Sequence, residues 1–413
     1  MKVPARYVIL TVALAFQTSA SLLQQGIGAI QPLIGQRLAL DHQQLGWVVA
    51  AISLGSALFA TGAGVAVDYL GERAVLLWSG IAMGITLLAS AAFANLIWLV
   101  VWLFLFGMAY ATSAPSGGRA ILQWFTRDRG FAMGIRQCGV PMGGVVGSLL
   151  LPVVALHWGY RAALGVSGVI CIVVAVVFIR WYSRPSDANG EERIRFREVL
   201  RGLIMVASSP SSICLNLLCA SLVAVQYTAV SFLAIALMTQ KHATLTVAVE
   251  AMVIFQMGAI IGRLAWGSVS DHIFGGDRIY PMLLISVMTL GVLWWLALPG
   301  AESALVISSL AFALGFSAAA WNGLWAAAQA EIGGHRHAGS ALGASLTVIY
   351  IVGAIVPPLF GAIVDHKGFS PAWEVLGIIV LAGFIPGFIA QRLLRAGAGG
   401  YSNISNGKNA ETV

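Results

Sequence analysis

Twelve stretches of about 20 predominantly apolar residues follow one another along the chain, and no other feature limits its fold so strongly. They lie near 7–35, 44–67, 74–95, 97–125, 131–156, 161–182, 207–238, 245–271, 279–299, 302–330, 338–364 and 371–394. A run of that length crosses the hydrocarbon of a bilayer as an α-helix, in which every backbone N–H and C=O finds a partner without water. Composition removes the alternative of a large soluble core: 9% of the 413 residues are charged, against about 25% in soluble domains. So few charges do not cover a water-facing surface of this size. The expectation is an all-α membrane protein of twelve transmembrane helices with little mass outside the bilayer. Disordered chains, coiled coils, nucleic-acid binders and disulfide scaffolds are excluded on the same grounds.

The formal net charge of +7 is a matter of topology. With twelve spans, the side carrying both termini collects sixteen of the 23 Lys and Arg, and the opposite side holds Arg37, Arg161, Lys241 and Lys367. Basic loops stay in the cytoplasm, so both termini are expected there. The three that remain, Arg119, Arg136 and Arg263, fall inside spans. The N-terminal run after Lys2 and Arg6 has the opening of a signal peptide, but it continues past Gln24, Gln25 and Gln31 and is needed as a span. The four cysteines lie within spans without a CxxC pair, and the seven histidines form no ligand spacing, so no metal or cofactor is expected.

The chain divides in the middle. Residues 183–206 hold a Pro185-Ser186-Asp187-Ala188-Asn189-Gly190 linker signal followed by a charged, amphipathic stretch expected to lie on the membrane surface. On either side stand six spans, 1–182 and 207–395, and a Gly-, Ser- and Asn-rich tail expected to be disordered closes the chain over 396–413. The halves echo each other. Ser21-Leu22 ahead of Asp41-His42 returns 200 residues later as Ser221-Leu222 ahead of Lys241-His242. Gly64-Val65-Ala66-Val67-Asp68 returns as Gly267-Ser268-Val269-Ser270-Asp271, and Ala132-Met133-Gly134 as Ala341-Leu342-Gly343. Three matches in order indicate a duplicated six-helix unit. Parallel repeats of that kind place a binding site between the halves near the midplane.

The loop Gly64-x3-Asp68-x2-Gly71-Glu72-Arg73, with its echo at Gly267 and Asp271, resembles the signature loop of the major facilitator superfamily. Glu72 departs from the pattern, which usually has Arg or Lys there. The resemblance implies two six-helix bundles working by alternating access, with Gly64, Asp68, Gly71, Arg73, Gly267 and Asp271 in the gating loops. A carboxylate at a helix end can also bond the N-terminus of a neighbouring helix, making a latch that breaks on each cycle.

Ionisable groups inside a span cost roughly 2.5–3.5 kcal/mol on insertion scales and mark function by default. Gly262-Arg263-Leu264-Ala265-Trp266-Gly267 resembles the eighth span of the monocarboxylate and oxalate/formate branches of the superfamily. There an Arg four residues before a Gly binds the substrate carboxylate, which implies that role for Arg263. The guanidinium fork suits a carboxylate and keeps its proton. Ala259 stands where the monocarboxylate branch has Asp, and span 11 offers Ser345, Thr347 and Tyr350 where the oxalate branch has Lys. A clamp for a dianion is therefore not expected. The run from Trp124 to Gln137 resembles the span 4–5 junction of organic-anion carriers, and Arg136 and Arg119 are read as a positive field in the inner vestibule. Glu250 is a candidate for proton coupling, but about 20 Å of helix separates it from Arg263.

Gln24, Gln25, Gln31, Ser113, Gln226, Tyr227, Trp321, Asn322 and Trp325 are expected along the cavity on spans 1, 4, 7 and 10. The reading is a monomeric secondary carrier of a small organic anion, a monocarboxylate, in the cytoplasmic membrane of a bacterium, with a proton as possible co-substrate. The alternative is a proton-driven exporter of drugs or cationic solutes. Gly139-Val140-Pro141-Met142-Gly143-Gly144 resembles the exporters' antiporter signature, though Val140 interrupts its Gly-Pro pair and Leu103 replaces the exporters' span-4 Arg. No nucleophile elbow or phosphate loop points to an enzyme.

Overall fold

The computed structural model describes residues 5–125, 129–182, 204 and 208–408. The linker expected over 183–206 lies outside the described residues apart from Ile204. In chain order the helices are α1 (Ala5–Gly26), α2 (Gln31–Leu38), α3 (His42–Leu70), α4 (Glu72–Ala92), α5 (Leu96–Tyr110), α6 (Ser113–Trp124), α7 (Arg129–Trp158) and α8 (Tyr160–Ile179). The second half continues with α9 (Pro210–Gln240), α10 (Leu245–His272), α11 (Ile279–Ala297), α12 (Ala304–Ala318), α13 (Asn322–Lys367) and α14 (Phe369–Lys408). No strand occurs among the described residues. Twelve helical segments are long and apolar enough to cross a membrane, and they match the twelve apolar runs one for one. Spans 1, 2 and 3 are α1, α3 and α4, and α5 with α6 makes span 4. Spans 5 to 9 are α7 to α11. Span 10 joins α12 to the start of α13, the rest of α13 is span 11, and α14 is span 12.

Local chemistry sets the helix ends. Asp41 opens α3 with a capping box, its carboxylate accepting from the Gln44 N–H and the Gln44 side chain accepting from the Asp41 N–H. Asn95, Ser209, Thr244 and Ser303 cap α5, α9, α10 and α12 in the same position. Cations finish two helices at the end away from the termini: Arg161 donates to the carbonyls of Ala91 and Ala92, and Lys241 to those of Trp295 and Leu298. Gly71 joins α3 to α4 at φ +79°, a backbone that side-chain-bearing residues rarely adopt.

The internal repeat reaches into the packing. In the first half a Cβ on Gly55 would meet the Phe104 carbonyl at 2.0 Å, and one on Gly107 the Ile52 carbonyl at 2.0 Å. In the second half Gly258 stands against Phe312 and Gly315 against Phe255 in the same manner, at 2.4 and 1.8 Å. Spans 2 and 4, and spans 8 and 10, are therefore pressed backbone to backbone by paired glycines. Spans 4 and 10 also break at matching places, after Tyr110 and after Ala318. Span 7 is the most enclosed helix, with 94% of its apolar window buried, whereas span 12 at 33% faces outward.

The two six-helix bundles touch at the end away from the termini. Span 1 meets span 7 where Gly28 lies against the Val230 carbonyl. Span 2 meets span 11 where Gly46 lies against Pro357 and Pro358, and Gly361 against the backbone of His42. There Asp365 accepts from the backbone N–H groups of His42 (3.0 Å) and Gln43 (2.9 Å), and its Oδ1 lies 2.6 Å from His42 Nδ1. Span 5 meets span 8 nearer the centre, where Gly144 packs on Gln256.

Candidate functional site

Arg136 is 2% exposed, in the interior of the first bundle. Its Nη1 donates to Gln17 Oε1 at 3.0 Å and grazes the Ser113 carbonyl at 3.5 Å. Gln17 Nε2 donates on to Ser21 Oγ (3.1 Å), which shares a hydrogen bond with the Tyr110 hydroxyl (3.2 Å). Spans 1, 4 and 5 thus converge on one guanidinium, and Gly117 leaves room for it, since a Cβ there would lie 3.1 Å from Nη1. Arg136 Nε is buried without a partner.

Arg263 approaches the same region from the second bundle. Its Nη1 donates to the Gln137 carbonyl at 2.9 Å, across the boundary between the halves, and its Nε to the Ala319 carbonyl at 3.3 Å. Both carbonyls are available for identifiable reasons. Pro141 has no N–H to give to Gln137, four residues before it in α7. Ala319 sits at the break of span 10. Tyr110 lies within electrostatic reach of both arginines, and Tyr350 of Arg136, Tyr110 and Tyr227. The three phenols and two guanidiniums, from spans 4, 5, 7, 8 and 11, form one interior group. Among the described residues no carboxylate is within ion-pair distance of Arg136 or Arg263.

The amides and aromatics expected along the cavity, apart from the half-buried Asn322, are buried and largely engaged with one another. Gln25 donates to Gln24 (2.7 Å) and accepts from Gln256 (3.2 Å), bonding span 1 to span 8. Gln31 donates to the Leu45 carbonyl (3.2 Å). Trp321 Nε1 donates to Gln226 Oε1 (3.0 Å) and stands edge-on to Trp325 at 5.8 Å. Trp325 and Gln329 both donate to Asn216 Oδ1 (3.2 and 2.9 Å), and Asn216 Nδ2 donates to Ser345 Oγ (3.1 Å). Asn322 reaches only the Ala319 carbonyl, at 3.5 Å. Tyr227 is buried, its ring in space that a side chain at Gly353 would occupy.

Other candidates stand elsewhere. Arg119 lies 3.6 Å from the carboxylate of Glu72, which is 1% exposed at the start of α4 and also accepts from Gln123 (3.4 Å) and Tyr182 (3.1 Å). Glu72, with Arg119, therefore fastens spans 3, 4 and 6 at the end bearing the termini. Glu72, read from the sequence as a loop residue that breaks a pattern, is the carboxylate this cluster forms around. Glu250 is exposed at the opposite end of α10. Of the signature loop, Gly64 and Gly267 border open space, Arg73 is exposed, and the side chain of Asp68 lies outside the described residues. Asp271 bonds Arg278, which also reaches Ser270 (2.8 Å) and Glu331 (3.3 Å). Partial burial works against the charge of Arg278, but the carboxylates outweigh it and raise its pKa. Among the described residues no group of three His, Cys, Asp or Glu is placed to hold a metal ion.

Comparison with known proteins agrees with this architecture. An uncharacterized MFS-type transporter of Mycobacterium tuberculosis (strain CDC 1551 / Oshkosh) is 31% identical over 406 residues, 96% of this chain and 87% of the relative. The 3-(3-hydroxy-phenyl)propionate transporter of Escherichia coli (strain K12) is 26% identical over 289 residues, 68% of this chain and 71% of the relative. In fold, the crystal structure of a bacterial homologue of the human lysosomal transporter Spinster, in an inward-facing and unoccupied conformation, superimposes with a TM-score of 0.75. It covers 95% of this chain and 98% of that one at 16% identity. The family model described as Major Facilitator Superfamily matches residues 9–357. With its twelve spans, its repeated halves and these matches, the chain is a multi-pass membrane transporter of the Major Facilitator Superfamily.

Proposed function

We propose that this transporter moves a small organic anion, a monocarboxylate, by alternating access across the cytoplasmic membrane of a bacterium, with both termini in the cytoplasm. The observation that carries the reading is the pair of interior guanidiniums without a carboxylate among the described residues. A charge held away from water needs a counter-charge. A cation-exporting site would need the opposite sign. Arg136 and Arg263 would grip the carboxylate, and the phenols of Tyr110, Tyr227 and Tyr350 would border the rest of the solute, a surface that suits an apolar or aromatic body with hydroxyl groups. The E. coli relative is named for an aromatic acid, which supports the same class.

Thermal stabilisation of the detergent-purified protein tests this. The panel comprises lactate, benzoate, 4-hydroxybenzoate, a dicarboxylate, a neutral sugar and a lipophilic cation. A solute at 100 times its Kd should add about 2.7 kcal/mol to the folded state. Monocarboxylates should raise the melting temperature, and the rise should vanish in Arg263→Ala. A response to the lipophilic cation alone would replace this reading with that of an exporter.

A further inference from the structure

We infer that Pro141 sets the affinity of the anion site, because it keeps the Gln137 carbonyl free to hold Arg263 when no anion is bound. The inference rests on the organic-anion reading above. An α-helical carbonyl is ordinarily occupied by the N–H four residues on, and a proline there leaves it open. In α7 that open carbonyl belongs to Gln137, next to Arg136, and the guanidinium that occupies it comes from the other bundle at 2.9 Å. Arg263 is half-buried. Its second bond is to Ala319, on its own bundle at the break of span 10.

This arrangement makes two acceptors compete for one cation. Main-chain oxygens hold the guanidinium where a carboxylate would, and the bond to Gln137 ties span 5 to span 8. An arriving carboxylate offers a full negative charge and draws Nη1 away. Binding then costs the tether, and its loss loosens the one direct bond between Arg263 and the first bundle. Pro141 acts through Gln137 and Arg263 without touching the solute, so it is a positioning residue. A second proline in the same helix, Pro152, lies nearer the far end, where no arginine among the described residues is bonded to the carbonyl it frees.

The test compares Pro141→Ala with Pro152→Ala in the full-length protein. An alanine at 141 restores an N–H for Gln137, so Arg263 is held less firmly before the anion arrives. Titration with 4-hydroxybenzoate and with lactate should give a Kd roughly tenfold lower in Pro141→Ala, near 1.4 kcal/mol, with slower turnover in proteoliposomes. Pro152→Ala should leave the Kd unchanged. Spin labels at the exposed positions Val146 and Met257 should report a longer span 5 to span 8 distance in Pro141→Ala without any acid. An unchanged or weaker Kd in Pro141→Ala overturns the inference, as does an equal change in Pro152→Ala. If neither acid binds the wild type, the organic-anion reading itself fails and the affinity claim falls with it; the label distance then separates a failed tether from a failed ligand class.

Discussion

The first bundle holds Arg136 against Gln17, Ser21 and Tyr110, while the second holds Asn216 against Trp325, Gln329 and Ser345. These are corresponding places, since the offset that carries Ala132 onto Ala341 carries Arg136 onto Ser345. In the second bundle the amides satisfy one another: both heteroatoms of the Asn216 side chain are bonded, and Gln329 also accepts from Ser212 at 2.9 Å. A neutral network closed on itself is structural glue, worth most when fully satisfied. In the first bundle the same architecture surrounds a cation whose Nε has no partner. Duplication supplied two equivalent polar centres, and only one of them is left needing something from outside.

The largest expected effects break that asymmetry. Arg136→Met and Arg263→Lys should each reduce proteoliposome uptake of a stabilising acid to the level of empty liposomes, with expression retained. A methionine cannot hold an anion, and a lysine lacks the fork that reaches two acceptors at once. Arg136→Met should nevertheless melt no lower than the wild type, because removing an unmatched buried charge relieves its desolvation cost. Asn216→Ala should do the reverse. It strands Trp325, Gln329 and Ser345, costing about 2 kcal/mol of stability, while uptake stays within a few-fold of normal. If Arg136→Met melts as low as Asn216→Ala, Arg136 is glue as well and the contrast between the bundles disappears.

A second contrast lies at the end bearing the termini. Each half ties the loop after its second span to its fourth span with an ion pair, and the signs are exchanged. Glu72 in the first half meets Arg119, and Arg278 in the second meets Glu331. Glu72 is 1% exposed, whereas the side chains of Glu331 and Asp271 are 60% and 56% exposed. Removing the buried partner should therefore cost more. Glu72→Ala is expected to lose about 3 kcal/mol, because it removes a carboxylate that is 1% exposed and that accepts from Gln123 and Tyr182 as well as pairing with Arg119. Arg278→Ala should lose less than about 1 kcal/mol. Chemical denaturation of the two variants in one detergent checks the order, and equal losses would show that burial does not distinguish the two ties.

The number of spans, their order and the repeat are legible in the sequence, because bilayer thickness dictates length and apolar character directly. Depth is legible too. Counting residues from the ends of a span places Arg136 and Arg263 inside the bilayer, where a charge is conspicuous. Rotation about the helix axis is not. Nothing in the pattern near Gln17, Ser21 and Tyr110 says that three spans turn them toward one arginine, and the same blindness groups Arg119 with Arg136. The paired glycines at Gly55 and Gly107, repeated at Gly258 and Gly315, are a signal within reach of the sequence, since each pair keeps nearly the spacing of the other motifs. The burial of Glu72 has no such signal. It depends on Tyr182 and Gln123 arriving from other spans.

A further small effect separates ties within a bundle from ties between bundles. Asp365 of span 11 occupies the N-terminus of α3 in span 2, accepting two backbone N–H groups and facing the His42 ring. That is a favourable place for a carboxylate, because the first N–H groups of a helix lack internal partners and carry partial positive charge. Asp365→Asn keeps the shape but gives up the charge and one of the two acceptors. The loss should be about 1 kcal/mol, or roughly a fivefold shift of the equilibrium toward states open at that end. Labels across spans 2 and 11 should report a larger open population, with the melting temperature nearly unchanged. Asp271→Asn, whose bond among the described residues is to Arg278 of its own half, should move the melting temperature slightly and the label distance not at all. An unaltered distance distribution in Asp365→Asn would mean that the glycine and proline contacts of spans 2 and 11 close that end without the carboxylate.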